Sequence, residues 1–145
     1  MNNSLNEIAL NGDLVTLSNR VYQRNDIEYI SIAELIDIID GKKGINENPF
    51  EKSLPEVINE IRNETDHRKQ NQMKYKDLKV FYISGGFIGS CEAENLKCLS
   101  RWSCLDIDEY DFALFPDILE KLKKLDYVGF IFSSPSSIYR LKVII

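Results

Sequence analysis

The sequence predicts an α+β domain with helices packed on a mixed or antiparallel sheet. Three observations carry that expectation. Strand-forming and amphipathic helical stretches follow one another in the order strand, helix, helix, strand, helix, strand, helix, strand, strand. Two helix starts are written out as capping boxes. A chain of 145 residues with ordinary apolar content is one domain in size, and we take residues 1–145 as a single domain able to bury a core.

Residues 14–22 are rich in strand formers, and Asp26 to Ile30 pairs with them or leads onward. Ser31-Ile32-Ala33-Glu34 is the first capping box, followed by Ile32, Leu35, Ile36 and Ile39 on one helical stripe. Gly41 closes that helix, and a polar connection from Lys42 to Phe50 contains Gly44 and Pro49. Ser53-Leu54-Pro55-Glu56 opens the second helix, with Leu54, Val57, Ile58 and Ile61 on its stripe. The polar stretch Glu64 to Gln72 continues as exposed helix or turn, and its histidine, His67, reads as a surface residue.

Lys79 to Ser84 is a strand running into Gly85-Gly86-Phe87-Ile88-Gly89. Those glycines fit either a plain turn or a close backbone approach to a ligand. Glu92 to Leu99 is read as a short helix that places Cys91 and Cys98 together in the core. Pro116 suits a first helical turn, with Ile118, Leu119, Leu122 and Leu125 as the apolar face. Tyr127 to Phe132 is an apolar strand, Ser133 to Ser137 a loop, and Leu141 to Ile145 a last strand. That strand ends without cap or turn, so the domain is expected to continue beyond it.

Composition narrows the classes. The balance of apolar and charged residues excludes a disordered chain, and no apolar run approaches the ~20 residues of a membrane span. Three cysteines without CxxC spacing give neither a disulfide framework nor a zinc site, and the first residues lack a signal peptide. A cytoplasmic setting is the expectation. The net charge of -5 argues against a dedicated nucleic-acid coat protein. Between Arg62 and Lys79, however, six basic residues stand against three acidic ones, Arg62, Lys74 and Lys76 among the former. Such an excess fits a phosphate backbone, and equally a solvated helix face.

The stretch that carries chemistry is Trp102-Ser103-Cys104-Leu105-Asp106-Ile107-Asp108. In a strand, alternate side chains share a face, so Asp106 and Asp108 project together. Two neighbouring acids repel unless a cation or a basic group lies between them. Mg2+ or Mn2+ suits such a pair, because these hard ions take one or two carboxylates plus nucleotide phosphates. A capped turn is the other reading.

Four stretches in order resemble the VirE N-terminal-type domain of the archaeo-eukaryotic primase superfamily, found in bacterial mobile elements and phages. They are Ile61-Arg62 with Asp66, Ser84-Gly85-Gly86-Phe87, Leu105-Asp106-Ile107-Asp108, and Ser134-Pro135-Ser136 followed by Leu141-Lys142-Val143. The resemblance runs from about residue 14 to the end. It implies an RRM-like primase-polymerase core acting as a nucleotidyltransferase on nucleoside triphosphates and a single-stranded DNA template. By the same likeness, Asp106 and Asp108 would be the catalytic, metal-holding acids. Ser134, Ser136 and Lys142 would lie at the triphosphate, and a helicase domain could follow. The chain departs from the family where Ser137-Ile138-Tyr139-Arg140 replaces loop glycines with one residue more, and where Lys79 replaces a proline. The family's third carboxylate belongs to a strand later than any in this sequence.

Three function classes follow: a two-metal primase or polymerase, a non-catalytic nucleic-acid-binding module of the same fold, and a protein-interaction domain. Metal dependence separates the first from the others; salt-dependent DNA binding separates the second from the third.

Overall fold

Strand β1 (Leu14–Arg20) is covered on both faces, with Leu14, Val15, Thr16, Leu17 and Ser18 no more than 1% exposed. A computed structural model of the protein describes residues 12–20, 23–44 and 52–145. The expected strand positions Val21 and Tyr22, and most of the Lys42–Phe50 connection, lie outside the described residues. The described chain divides into two compact units, the first ending at Trp102 and the second running from Ser103 to Ile145.

In the first unit β1 is the middle of an antiparallel sheet, between β2 (Gln23–Ser31) and β3 (Val80–Tyr82). Its polar residues are not stranded: the Thr16 hydroxyl donates to the Gly85 carbonyl at 2.8 Å. Helix α1 (Ile32–Ile39) begins at the expected capping box, with Ser31 Oγ accepting from the Glu34 N–H and Glu34 accepting from the Ser31 N–H. It buries Ile32, Leu35 and Ile38 over β1 and β2, and Gly41 at φ +73° ends it. Helix α2 (Leu54–Asn63) repeats the device, Glu56 accepting from both the N–H and the hydroxyl of Ser53 at 2.7 Å. It buries Leu54 and Ile61. Helix α3 (His67–Asp77) is different in kind. Asp66 caps it, and none of its side chains is buried.

The stretch after β3 corrects two expectations. Gly85 and Gly86 are not a turn but strand β4 (Gly85–Phe87), the turn falling at Ile83 and Ser84. Residues 92–99 are not a helix: a single 3-10 turn at Ala93–Asn95 leads into strand β5 (Leu96–Leu99), antiparallel to β4. Pairing with β4 overrides the short helical pattern, and burial along β5 alternates with the period of a strand. Cys91 is core, as expected, and Cys98 is half-buried. A Cβ on Gly85 would press against the Cys98 carbonyl and Leu96. Close strand approach, rather than a ligand, accounts for that glycine.

The second unit is β6 (Cys104–Ile107), α4 (Phe115–Lys123), β7 (Phe130–Ser134) and β8 (Ser137–Ile144). Its sheet order is β6-β8-β7 and both pairings are antiparallel, so β8 returns between two strands that α4 connects. This is a split β-α-β unit. The Ser133–Ser137 loop is tighter than expected: Ser134 pairs with Ser137 across a two-residue turn at Pro135 and Ser136. All strand pairings among the described residues are antiparallel, and helices and strands make a mixed α and β architecture as expected.

Candidate functional site

Register decides what faces what in the second unit. On β6 and β8, Asp106 stands directly opposite Lys142, and on the other flank Phe132 of β7 also faces Lys142. Directly opposed residues share a face, so one row across the sheet reads Asp106, Lys142, Phe132. The next row reads Cys104, Ile144, Phe130, and the two phenyl rings stack with centroids 5.8 Å apart. Lys142 Nζ lies 2.6 Å from Asp106 Oδ2, and the carboxylate remains half exposed. Thus an acid and a lysine singled out in separate stretches of sequence meet on neighbouring strands. The basic group that an acidic pair requires is supplied by the chain itself.

Cys104 Sγ is 3.8 Å from the other oxygen of Asp106. Desolvation of its sulfur, with the Asp106 charge beside it, raises the thiol above its ordinary value. Cys104 is therefore held as the neutral thiol, a poor nucleophile.

Asp108 is exposed and lies one residue past the end of β6, so the strand's alternation stops short of it. Ser134 ends β7 as a buried residue, its Oγ 3.5 Å from Ser136 Oγ in the turn and 3.4 Å from the Ser137 carbonyl. The β7–β8 pairing carries a bulge here. Ser133 pairs with Leu141 and Ser134 with Ser137, so Ile138, Tyr139 and Arg140 are looped out of β8 opposite β7. Aromatic packing fixes the bulge: the Tyr110 hydroxyl donates to the Tyr139 carbonyl, and Phe112 stacks on the Tyr139 ring at 4.9 Å. Phe115 meets the same ring edge-on at 5.4 Å. Tyr110, Phe112 and Phe115 were marked by no motif, because the bulge exists only once β7 and β8 are paired.

No family model, curated protein or solved structure matches this chain.

The fit of a divalent ion rests, then, on the donors themselves. Asp106 and Asp108 offer hard carboxylate oxygens, both accessible, and Mg2+ or Mn2+ completes such a shell with water and phosphate oxygens. Among the described residues no group of three or more His, Cys, Asp or Glu side chains comes together to hold a metal. The donor set fits an ion that arrives with a nucleotide, not an ion caged by protein alone. A cavity of about 590 Å³ between α4 and the sheet is lined by apolar residues such as Leu119, Leu122 and Ile131. Neither Asp106 nor Lys142 lines it, and its apolar walls do not suit phosphate.

The basic residues expected at nucleic acid lie in the first unit. Arg62 on α2 is half-buried, and burial lowers its pKa from the ordinary value. Lys74 is also half-buried, its Nζ near Asn71 Oδ1 at 3.5 Å, whereas Lys76 is exposed. Among the described residues no helix is long and apolar enough to cross a membrane.

Proposed function

We propose that the Ser103–Ile145 unit binds a nucleoside triphosphate together with Mg2+ or Mn2+, as part of a DNA primase or polymerase-type nucleotidyltransferase. One observation carries the reading: Asp106 and Lys142 occupy one cross-strand row, 2.6 Å apart, with the carboxylate half exposed. The strand–helix–strand–strand order with β8 in the middle also supports it. That arrangement matches the first four elements of the β-α-β-β-α-β plan, on which an RRM-like core is built.

Within the proposal each residue has one task. Asp106 and Asp108 hold the ion, and Lys142 gives the phosphates a compact positive charge. The Ser136 hydroxyl at the hairpin would supply a donor, whereas the buried Ser134 hydroxyl is bonded within the turn. A bound ion of this kind neutralises phosphate charge and activates the attacking hydroxyl. Lys142 pairs with Asp106 in the structure; with a nucleotide and its ion bound, Asp106 would hold the ion and Lys142 would lie at the phosphates. A single-stranded DNA template is the partner this activity requires.

Lys142→Ala is expected to weaken deoxynucleoside triphosphate binding by about tenfold or more, and monophosphate binding much less, because the lost charge faces the outer phosphates. Equal losses for both ligands would make Lys142 a structural partner of Asp106. That outcome fits the second reading, a non-catalytic module of the same fold in which the pair only ties β6 to β8. The pair's own 2.6 Å contact is what favours it.

A further inference from the structure

Helix α3 is built unlike its neighbours. Eleven residues, His67–Asp77, form a helix none of whose side chains is buried. Most short helices are stable because they bury an apolar stripe, and isolated ones of this length are marginal. Local bonds hold α3 instead: Asp66 accepts from the N–H groups of Arg68 and Lys69 at 2.8 and 3.3 Å, and Gln70 Nε2 donates to the Ile61 carbonyl at 3.0 Å. Gln70, Met73 and Lys74 are its half-buried positions.

The opposite side is a continuous charged surface. Arg68 and Tyr75 are seven residues apart, Lys69 and Lys76 likewise, and Gln72 falls between the two rows. All five are exposed, Tyr75 by 41%. No acid lies in this group. Asp66 is committed to the cap, and Asp77 lies on the far side, where its charge acts on Lys52, the partner of Glu60 on α2. The chain as a whole carries -5, so three cations on a helix face that holds no acid of α3 itself run against its overall charge.

From this geometry we infer that the Arg68–Lys69–Gln72–Tyr75–Lys76 face of α3 is a binding surface for single-stranded nucleic acid. The cations would take consecutive phosphates and Tyr75 would stack on an unpaired base, the usual combination of backbone charge and aromatic platform for single strands. A duplex keeps its base faces stacked and gives the tyrosine nothing to cover. The inference is independent of the nucleotide site in the second unit, so Asp106→Asn should leave it untouched.

Fluorescence anisotropy of the full chain with a labelled mixed-sequence single-stranded oligonucleotide, titrated across a salt series, tests it. The wild type should bind with log K falling linearly with log salt. Arg68→Gln/Lys69→Gln/Lys76→Gln should lower the slope by about 2, at roughly 0.7 per phosphate released. Tyr75→Ala should weaken binding roughly 5- to 100-fold at unchanged slope, the loss of one stacked base. Lys97→Gln, an exposed cation elsewhere in the unit, should behave as wild type. All substituted residues are exposed, and circular dichroism verifies that α3 remains helical. Absence of binding by the wild type, an unchanged slope in the triple variant, or tighter binding of the matching duplex would each overturn the assignment.

Discussion

Asp13 shows how one carboxylate can order a segment far from it in sequence. Its Oδ1 accepts from Arg101 Nε at 3.2 Å and Nη2 at 3.0 Å, and from the Trp102 indole at 3.1 Å. The indole bond first, then Arg101, holds the carboxyl below its ordinary value of 3.8. Because folding lowers this pKa, the stabilisation is complete above that value and fades as pH falls toward the lower folded one. The gap between the denaturant midpoints of wild type and Asp13→Asn should therefore be full at about pH 6 and narrow as pH falls below 3.8. A gap that stays constant through this range would show that the charge is not what matters. Thr16 is a second case. Thr16→Val removes the hydroxyl that donates to the buried Gly85 carbonyl, and should cost about 1–3 kcal/mol in urea unfolding. Neither role was legible in the sequence, since both depend on strands brought together from distant positions. The Asp106–Lys142 pair was half legible. Alternation placed the acid on a strand face, but only the β6–β8 register placed the lysine opposite it. Asp106→Asn removes a half-exposed cross-strand pair and should cost under about 1 kcal/mol, leaving a folded protein for binding experiments.

Elements were legible where their signals are local. Both capping boxes predicted the starts of α1 and α2 to the residue, because the bonds that start a helix lie within four positions of each other. Ser31→Ala should cost about 1 kcal/mol in thermal or denaturant unfolding, by leaving the first-turn N–H of Glu34 without its acceptor. No measurable loss would mean that burial of Ile32, Leu35 and Ile38 fixes α1 unaided. The segment at residues 92–99 was misread as helix for the converse reason. Its strand exists only through pairing with Gly85–Phe87, and two glycines concealed that partner. Gly85→Ala should be more damaging than most surface substitutions, since the added methyl meets the backbone of β5, which cannot swing away as a side chain does. The bulge at residues 138–140 follows the same rule: its aromatic anchors Tyr110, Phe112 and Phe115 gain meaning only from a paired β8.

At the scale of the whole chain, chemistry is divided between two compact units. The first carries the deep core around β1 and the basic face of α3; the second carries an open three-stranded sheet with an acid–lysine row. The mixture of helices and strands was readable from patterning and capping, but the full order was not, since Gly85–Phe87 and Leu96–Leu99 are strands where a turn and a helix were expected. The site was not, because it needs a register that places Lys142 between Asp106 and Phe132. The central question is whether that row is built for a nucleotide and its ion. Calorimetric titration of a deoxynucleoside triphosphate, with and without Mn2+, into wild type and Asp106→Asn/Asp108→Asn decides it. Binding that requires Mn2+ and disappears in the double variant is the predicted result. Binding that is absent in both proteins, or indifferent to the ion and to the substitutions, would contradict it and leave Asp106 and Lys142 as a cross-strand ion pair of the sheet.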